Sequence, residues 1–123
     1  MSHQPRPQDL APSRPIVTEQ EVDDALHVLI ESTTALARAR GRMVRADAML
    51  KHTKAVATAM SGASSFAARE NDALASKAYE RAIDELAQAT IEYEQLKAER
   101  EAAVMTIEVF RTIEASRRSN VRL

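Results

Sequence analysis

The sequence predicts an all-α fold, a long antiparallel helical hairpin of coiled-coil character, completed by oligomerisation into a helical bundle or ring. Three observations carry this. All four prolines fall within the first 15 residues. Two long stretches beyond them repeat apolar residues at alternating steps of three and four. A Gly/Ser-rich break at Ser61-Gly62-Ala63-Ser64-Ser65 separates those stretches.

Residues 1–17 read as a disordered tail, because Pro5, Pro7, Pro12 and Pro15 each fix φ and remove a backbone donor among Gln, Ser and Arg. The helical hairpin domain then spans 18–118. Its first helix, about 19–60, opens on a T-x-x-E capping box formed by Thr18 and Glu21. Val17 and Val22 stand at the hydrophobic-staple positions, and Glu19, Glu21, Asp23 and Asp24 favour the positive end of the helix dipole. The predicted seam runs Val22, Leu26, Leu29, Thr33, Leu36, Arg40, Met43, Asp47 and Leu50. Ile30, Ala37 and Val44 widen it into a face suited to a bundle.

A connector covers about 61–76. Gly62 is placed to end the first helix in the left-handed conformation, residues 66–75 hold a short helical turn, and Ser76 or Asp72 caps the next helix. That second helix covers about 77–117, with a seam of Tyr79, Ala82, Leu86, Ala89, Tyr93, Leu96, Arg100, Ala103, Ile107 and Phe110. Residues 119–123 read as a frayed end. Each rod is on the order of 60 Å long at 1.5 Å per residue.

Two helices of similar length joined by a short connection favour the antiparallel hairpin, and the charges agree. Folding at about residue 68 sets the basic stretch Arg38–Lys54 opposite Asp84, Glu85, Glu92 and Glu94. The acidic start, Glu19–Glu31, then lies opposite Arg111, Arg117 and Arg118. Arg40, Asp47 and Arg100 interrupt the seams, either as edge residues that snorkel to water or as a polar pairing that fixes register. The same fold sets Arg40 near residue 96 and Asp47 near residue 89.

Composition limits the core. Hydrophobic residues make up 45% of the chain but aromatic ones only 3%, and alanine supplies much of the remainder. Burial stabilises by roughly 25 cal/mol per Å² of apolar area, so an alanine-rich interior contributes little per residue, and either the chain oligomerises or its stability is marginal. Lys plus Arg number 17 against 18 for Asp plus Glu, which argues against bulk electrostatic binding of nucleic acid. There is no cysteine, and no stretch approaches the roughly 20 apolar residues of a membrane span. No apolar leader is visible, so a cytoplasmic location (of the host cell, for a phage-encoded chain) is the expectation.

The strongest functional candidate is the basic strip of Arg38, Arg40, Arg42, Arg45, Lys51 and Lys54, with Arg38, Arg42, Arg45, Lys51 and Lys54 as the phosphate contacts. Arg38, Arg42 and Arg45 fall at i, i+4 and i+7, where they could track a phosphate backbone. The competing reading is that acidic residues of the second helix neutralise the strip. Arg111, Arg117, Arg118 and Arg122 form a second basic cluster, which either suits a helix C-terminus or converges into a positive surface in a ring-shaped oligomer. The isolated His3, His27 and His52 show no metal-ligand spacing, and no nucleophile has a base at reach. No metal, cofactor or catalytic residue is therefore expected, and the chain reads as a non-enzyme.

The segments Phe66-Ala67-Ala68-Arg69-Glu70-Asn71 and Ala75-Ser76-Lys77-Ala78-Tyr79 resemble a connector in small, largely uncharacterised phage-encoded helical hairpin proteins. The closing block Ile107-Glu108-Val109-Phe110-Arg111-Thr112, continuing to Arg117 and Arg118, is similar to their C-terminal signature, in which the Phe110 position is more often tryptophan. The resemblance spans about 20–118. Such proteins occur among recombination and replication genes, which implies an accessory role in DNA metabolism and transfers no functional residue. The first expectation is an oligomer that binds single-stranded DNA or a recombination protein. The alternative is an interaction module (scaffold, inhibitor or counter-defence protein) that binds no nucleic acid.

Overall fold

The structure is a computed structural model that describes residues 16–121; the proline-rich segment 1–15 and residues 122–123 lie outside the described residues. Three helices run in order: α1 (Glu19–Met60), α2 (Phe66–Leu74) and α3 (Lys77–Val121). No strand occurs among the described residues. The two long helices, of 42 and 45 residues, pack against each other along their length.

The start of α1 is set by its local chemistry. Thr18 is extended at φ −91°, and its Oγ1 accepts from the Glu21 N–H at 3.1 Å. The same hydroxyl donates to Glu21 Oε1 at 3.2 Å. One orphan donor of the first turn is thereby satisfied.

The end of α1 departs from expectation. Ser61 caps it in an extended conformation (ψ 137°) with its N–H on the Thr58 carbonyl at 3.3 Å. No glycine has positive φ, so Gly62 supplies no left-handed cap. The chain leaves by turning extended, and side chains brace the exit. Ser61 Oγ donates to Asp72 Oδ2 at 2.6 Å and accepts from the Ala63 N–H at 3.2 Å. Arg69 Nε donates to the Ala63 carbonyl at 2.8 Å.

The connector also holds more than a turn. α2 has nine residues, capped by Ser65 Oγ on the Ala68 N–H at 3.1 Å. Ala73 within it is fully buried. Ser76, rather than Asp72, caps α3: its Oγ accepts from the Tyr79 N–H at 3.2 Å and donates to the Ala73 carbonyl at 2.7 Å. Asp72 is instead bound to Ser61. α3 then runs without interruption through Val121, past the expected fraying at 119.

The seam of α1 is shifted at every second position. Val22, Leu29, Leu36, Met43 and Leu50 are half-buried as read from the sequence. The alternate positions are not Leu26, Thr33, Arg40 and Asp47, all of which are exposed, but the residue before each. Ala25 and Ala39 are buried, and Ser32 and Ala46 are half-buried. Leu26 remains 45% exposed. A short side chain at these positions lets two helices approach closely, whereas the bulkier neighbour is driven out to the flank. In α3 the order is simpler. Ala82 and Ala103 are buried, and Tyr79, Leu86, Ala89, Tyr93, Leu96, Arg100, Ile107 and Phe110 are half-buried.

The resulting core is thin. Its buried apolar residues are five alanines: Ala25, Ala39, Ala73, Ala82 and Ala103. No large side chain is fully buried among the described residues. Each larger seam residue therefore realises only part of the roughly 1.5–3 kcal/mol that full burial of such a side chain contributes.

Candidate functional site

The basic strip is split by the heptad geometry. Arg42 turns toward α3, where its guanidinium makes a two-point bridge with Glu92: Nε donates to Oε2 at 3.2 Å and Nη2 to Oε1. A fork of two parallel bonds is the stronger form of such a pair, although half-exposure of both side chains limits its contribution. Lys51 Nζ lies 3.3 Å from Asp47 on its own helix, and Lys54 Nζ lies 3.6 Å from Glu70 of α2. Three of the five candidate phosphate contacts thus have acidic partners.

Arg38 and Arg45 differ. They are exposed, seven residues apart on α1, and no ion pair engages either among the described residues. Arg117 Nη1 is held by Glu114 Oε1 at 3.1 Å on its own helix, and Arg118 is exposed beside it. The acidic start of α1 is engaged locally in part, with His27 lying 3.7 Å from Asp23 and 4.0 Å from Glu31.

The polar interruptions of the seam also separate. Arg40 is exposed, and Asp47 pairs with Lys51. Arg100 alone enters the helix–helix junction. Its Nη1 donates to the Leu29 carbonyl at 2.8 Å and to Ser32 Oγ at 2.8 Å. The main acceptor of Arg100 is a backbone carbonyl, which no acidic side chain in the sequence marks. Ser32 at a seam position was the available signal.

Beside Arg100 a groove opens between the long helices, walled by Leu29 and Leu36 of α1 and by Lys97, Val104 and Met105 of α3. Met105 on its wall is 59% exposed, and Ile30 and Val44 of α1 are 74% and 60% exposed. Phe66, the aromatic left out of both seams, is 70% exposed on α2 near Lys51, Lys54 and Arg69.

Among the described residues no group of three or more His, Asp or Glu side chains is placed to hold a metal ion. No helix among them is long and apolar enough to cross a membrane. No protein family, curated protein or solved structure matches the chain.

Proposed function

We propose that the chain is a non-enzymatic helical interaction module that works as a homo-oligomer. The observation that carries this reading is the imbalance between core and surface. The buried core is five alanines, while Ile30, Val44, Ile91 and Met105 in the middle of the long helices are half to three-quarters exposed. A two-helix rod offers no third layer to cover them, and apolar surface of this kind marks association sites. The test is thermal unfolding over a concentration series, combined with sedimentation. Association stabilises by mass action, so the midpoint rises with concentration and the mass exceeds one chain. A concentration-independent midpoint with the mass of one chain overturns the reading.

A second reading, of an accessory to phage-type DNA recombination or replication, draws on one observation. Arg38 and Arg45 keep exposed guanidinium groups without an acidic partner among the described residues. In this reading single-stranded DNA, or a recombination protein carrying it, is held chiefly through its phosphates, since Tyr79, Tyr93 and Phe110 are engaged in the seam. Fluorescence anisotropy of labelled oligo-dT at low and physiological salt tests it. Binding that weakens steeply with salt supports it, and Arg38→Ala with Arg45→Ala then flattens the dependence by about one unit of slope per lost contact. No binding at either salt removes it.

A further inference from the structure

The hairpin is a ribbon with two unlike broad faces. Residues that flank the seam of an antiparallel pair meet like position to like position, so each broad face draws on one flank of both helices. The Arg42–Glu92 bridge crosses one face. The groove walled by Leu29, Leu36, Lys97 and Val104 lies on the other. On α1 the period of 3.6 places Leu26, Ile30 and Val44 on this groove face, where they are 45, 74 and 60% exposed. α2 lies against the far end of α1, with Glu70 at Lys54, and leaves the half from Asp23 to Val44 uncovered.

We propose that a second copy of the chain closes this groove face, related to the first by a half-turn about an axis parallel to the helices, to give an up-down-up-down four-helix bundle. The proposal rests on the association reading and assigns its interface.

A rotation about an axis parallel to the rods leaves every residue at its own height and sets each α1 beside the α3 of the second copy. Arg42 and Glu92 mark one common height, and each step back along α1 is matched by one step forward along α3. Two residues from that mark, Arg40 is level with Glu94; twelve residues from it, Ile30 is level with Val104; nineteen residues from it, Asp23 is level with Arg111. Across the half-turn Ile30, the most exposed large side chain of the groove face, meets Val104 on the wall of the second copy's groove. Arg40 meets Glu94 and Arg111 meets Asp23, each pair occurring twice by symmetry.

These charges are available. Arg40, Glu94 and Arg111 form no ion pair among the described residues, and Asp23 has only His27 at 3.7 Å. At the remaining heights Lys97 is level with Ala37, Glu101 with Thr33 and Glu108 with Leu26, so no like charges meet. The face is complementary to itself, as an isologous interface requires. The other broad face, with Arg42 bridged to Glu92, stays open.

Sedimentation of the full chain with single charge reversals tests the interface. Arg40→Glu and Glu94→Arg each turn two attractive pairs into repulsive ones and are expected to weaken the dimer about tenfold. An equimolar mixture of the two variants restores wild-type affinity, because each supplies the charge the other lacks. Ile30→Asp weakens the dimer further, and Arg38→Glu, outside the groove face, leaves it unchanged. Circular dichroism confirms that each variant stays helical. A wild-type oligomer that ignores both reversals, or variants that fail to recover on mixing, overturns this interface and leaves the association reading standing. A wild-type chain that sediments as one copy at every concentration overturns both.

Discussion

Arg100 of α3 donates from Nη1 to the main-chain carbonyl of Leu29 in α1 at 2.8 Å. The carbonyl also accepts from Thr33 Oγ1 at 2.8 Å, and Arg100 Nη1 reaches Ser32 Oγ at 2.8 Å as well. Ser32 Oγ in turn donates to the Val28 carbonyl. A carbonyl inside a helix is open to a second donor where a hydroxylated side chain bends the local ladder. The cross-strut thus depends on a pair of hydroxyl residues, with Ser32 at a seam position that alanine holds elsewhere on α1. It also fixes the sliding register of two rods whose seams are otherwise repetitive.

Arg100→Ala is therefore expected to destabilise the chain by about 1–2 kcal/mol, losing charge-assisted bonds and the packing of the side-chain stem. Arg100→Met retains the stem and should recover part of that loss. Ser32→Ala should cost less than either, because the Leu29 carbonyl still accepts. Urea unfolding of the three variants at one protein concentration ranks them; an Arg100→Ala no weaker than Ser32→Ala would show that the strut is idle.

Gly41 offers the opposite result. It lies inside α1, is exposed, and an added Cβ would meet nothing within 4 Å. Glycine inside a helix costs about 0.8–1.0 kcal/mol relative to alanine. Gly41→Ala is expected to raise stability by about that amount, read as a higher urea midpoint with an unchanged slope.

Ala39 tests the close approach of the rods. It is 0% exposed, so Ala39→Leu has no space to enter, and overpacking of this kind costs about 1–3 kcal/mol. Ala48→Leu, on an exposed position of the same helix, should change stability by less than about 0.5 kcal/mol. Equal effects at the two sites would mean that the helices are not held at alanine distance.

The exit from α1 can be opened chemically. Ser61, Asp72, Arg69 and the Ala63 carbonyl tie the connector together. Asp72→Ala and Arg69→Ala are expected to speed limited proteolysis within 61–65 while leaving overall helicity nearly constant, since backbone with fewer braces opens locally. Cleavage at an unchanged rate in the double variant would show that α2 packing alone holds the segment.

Helical class, antiparallel pairing and the start of each long helix were legible in the chain of residues alone. The reasons are local and periodic: Thr18 and Glu21 cap α1, Ser76 caps α3, and alternating steps of three and four produce a stripe whatever the surroundings. The pivot of the hairpin was legible too. Arg42 meets Glu92, whose midpoint at residue 67 is one residue from the expected pivot.

Which of two neighbouring residues enters the seam was settled only by packing. At Ala25 against Leu26 a hydrophobic pattern selects the larger side chain, and at Ala39 the alternating spacing leads past it to Arg40, whereas packing of two rods selects by how closely their backbones approach. That distance belongs to the pair of helices, not to either one. The same distance brought Glu92 to Arg42 and left Arg38 and Arg45 without an acidic partner among the described residues, so one basic strip holds both paired and unpaired cations. It also gave Arg100 a carbonyl partner 71 residues away, a contact no local pattern encodes because a backbone acceptor carries no side-chain signature.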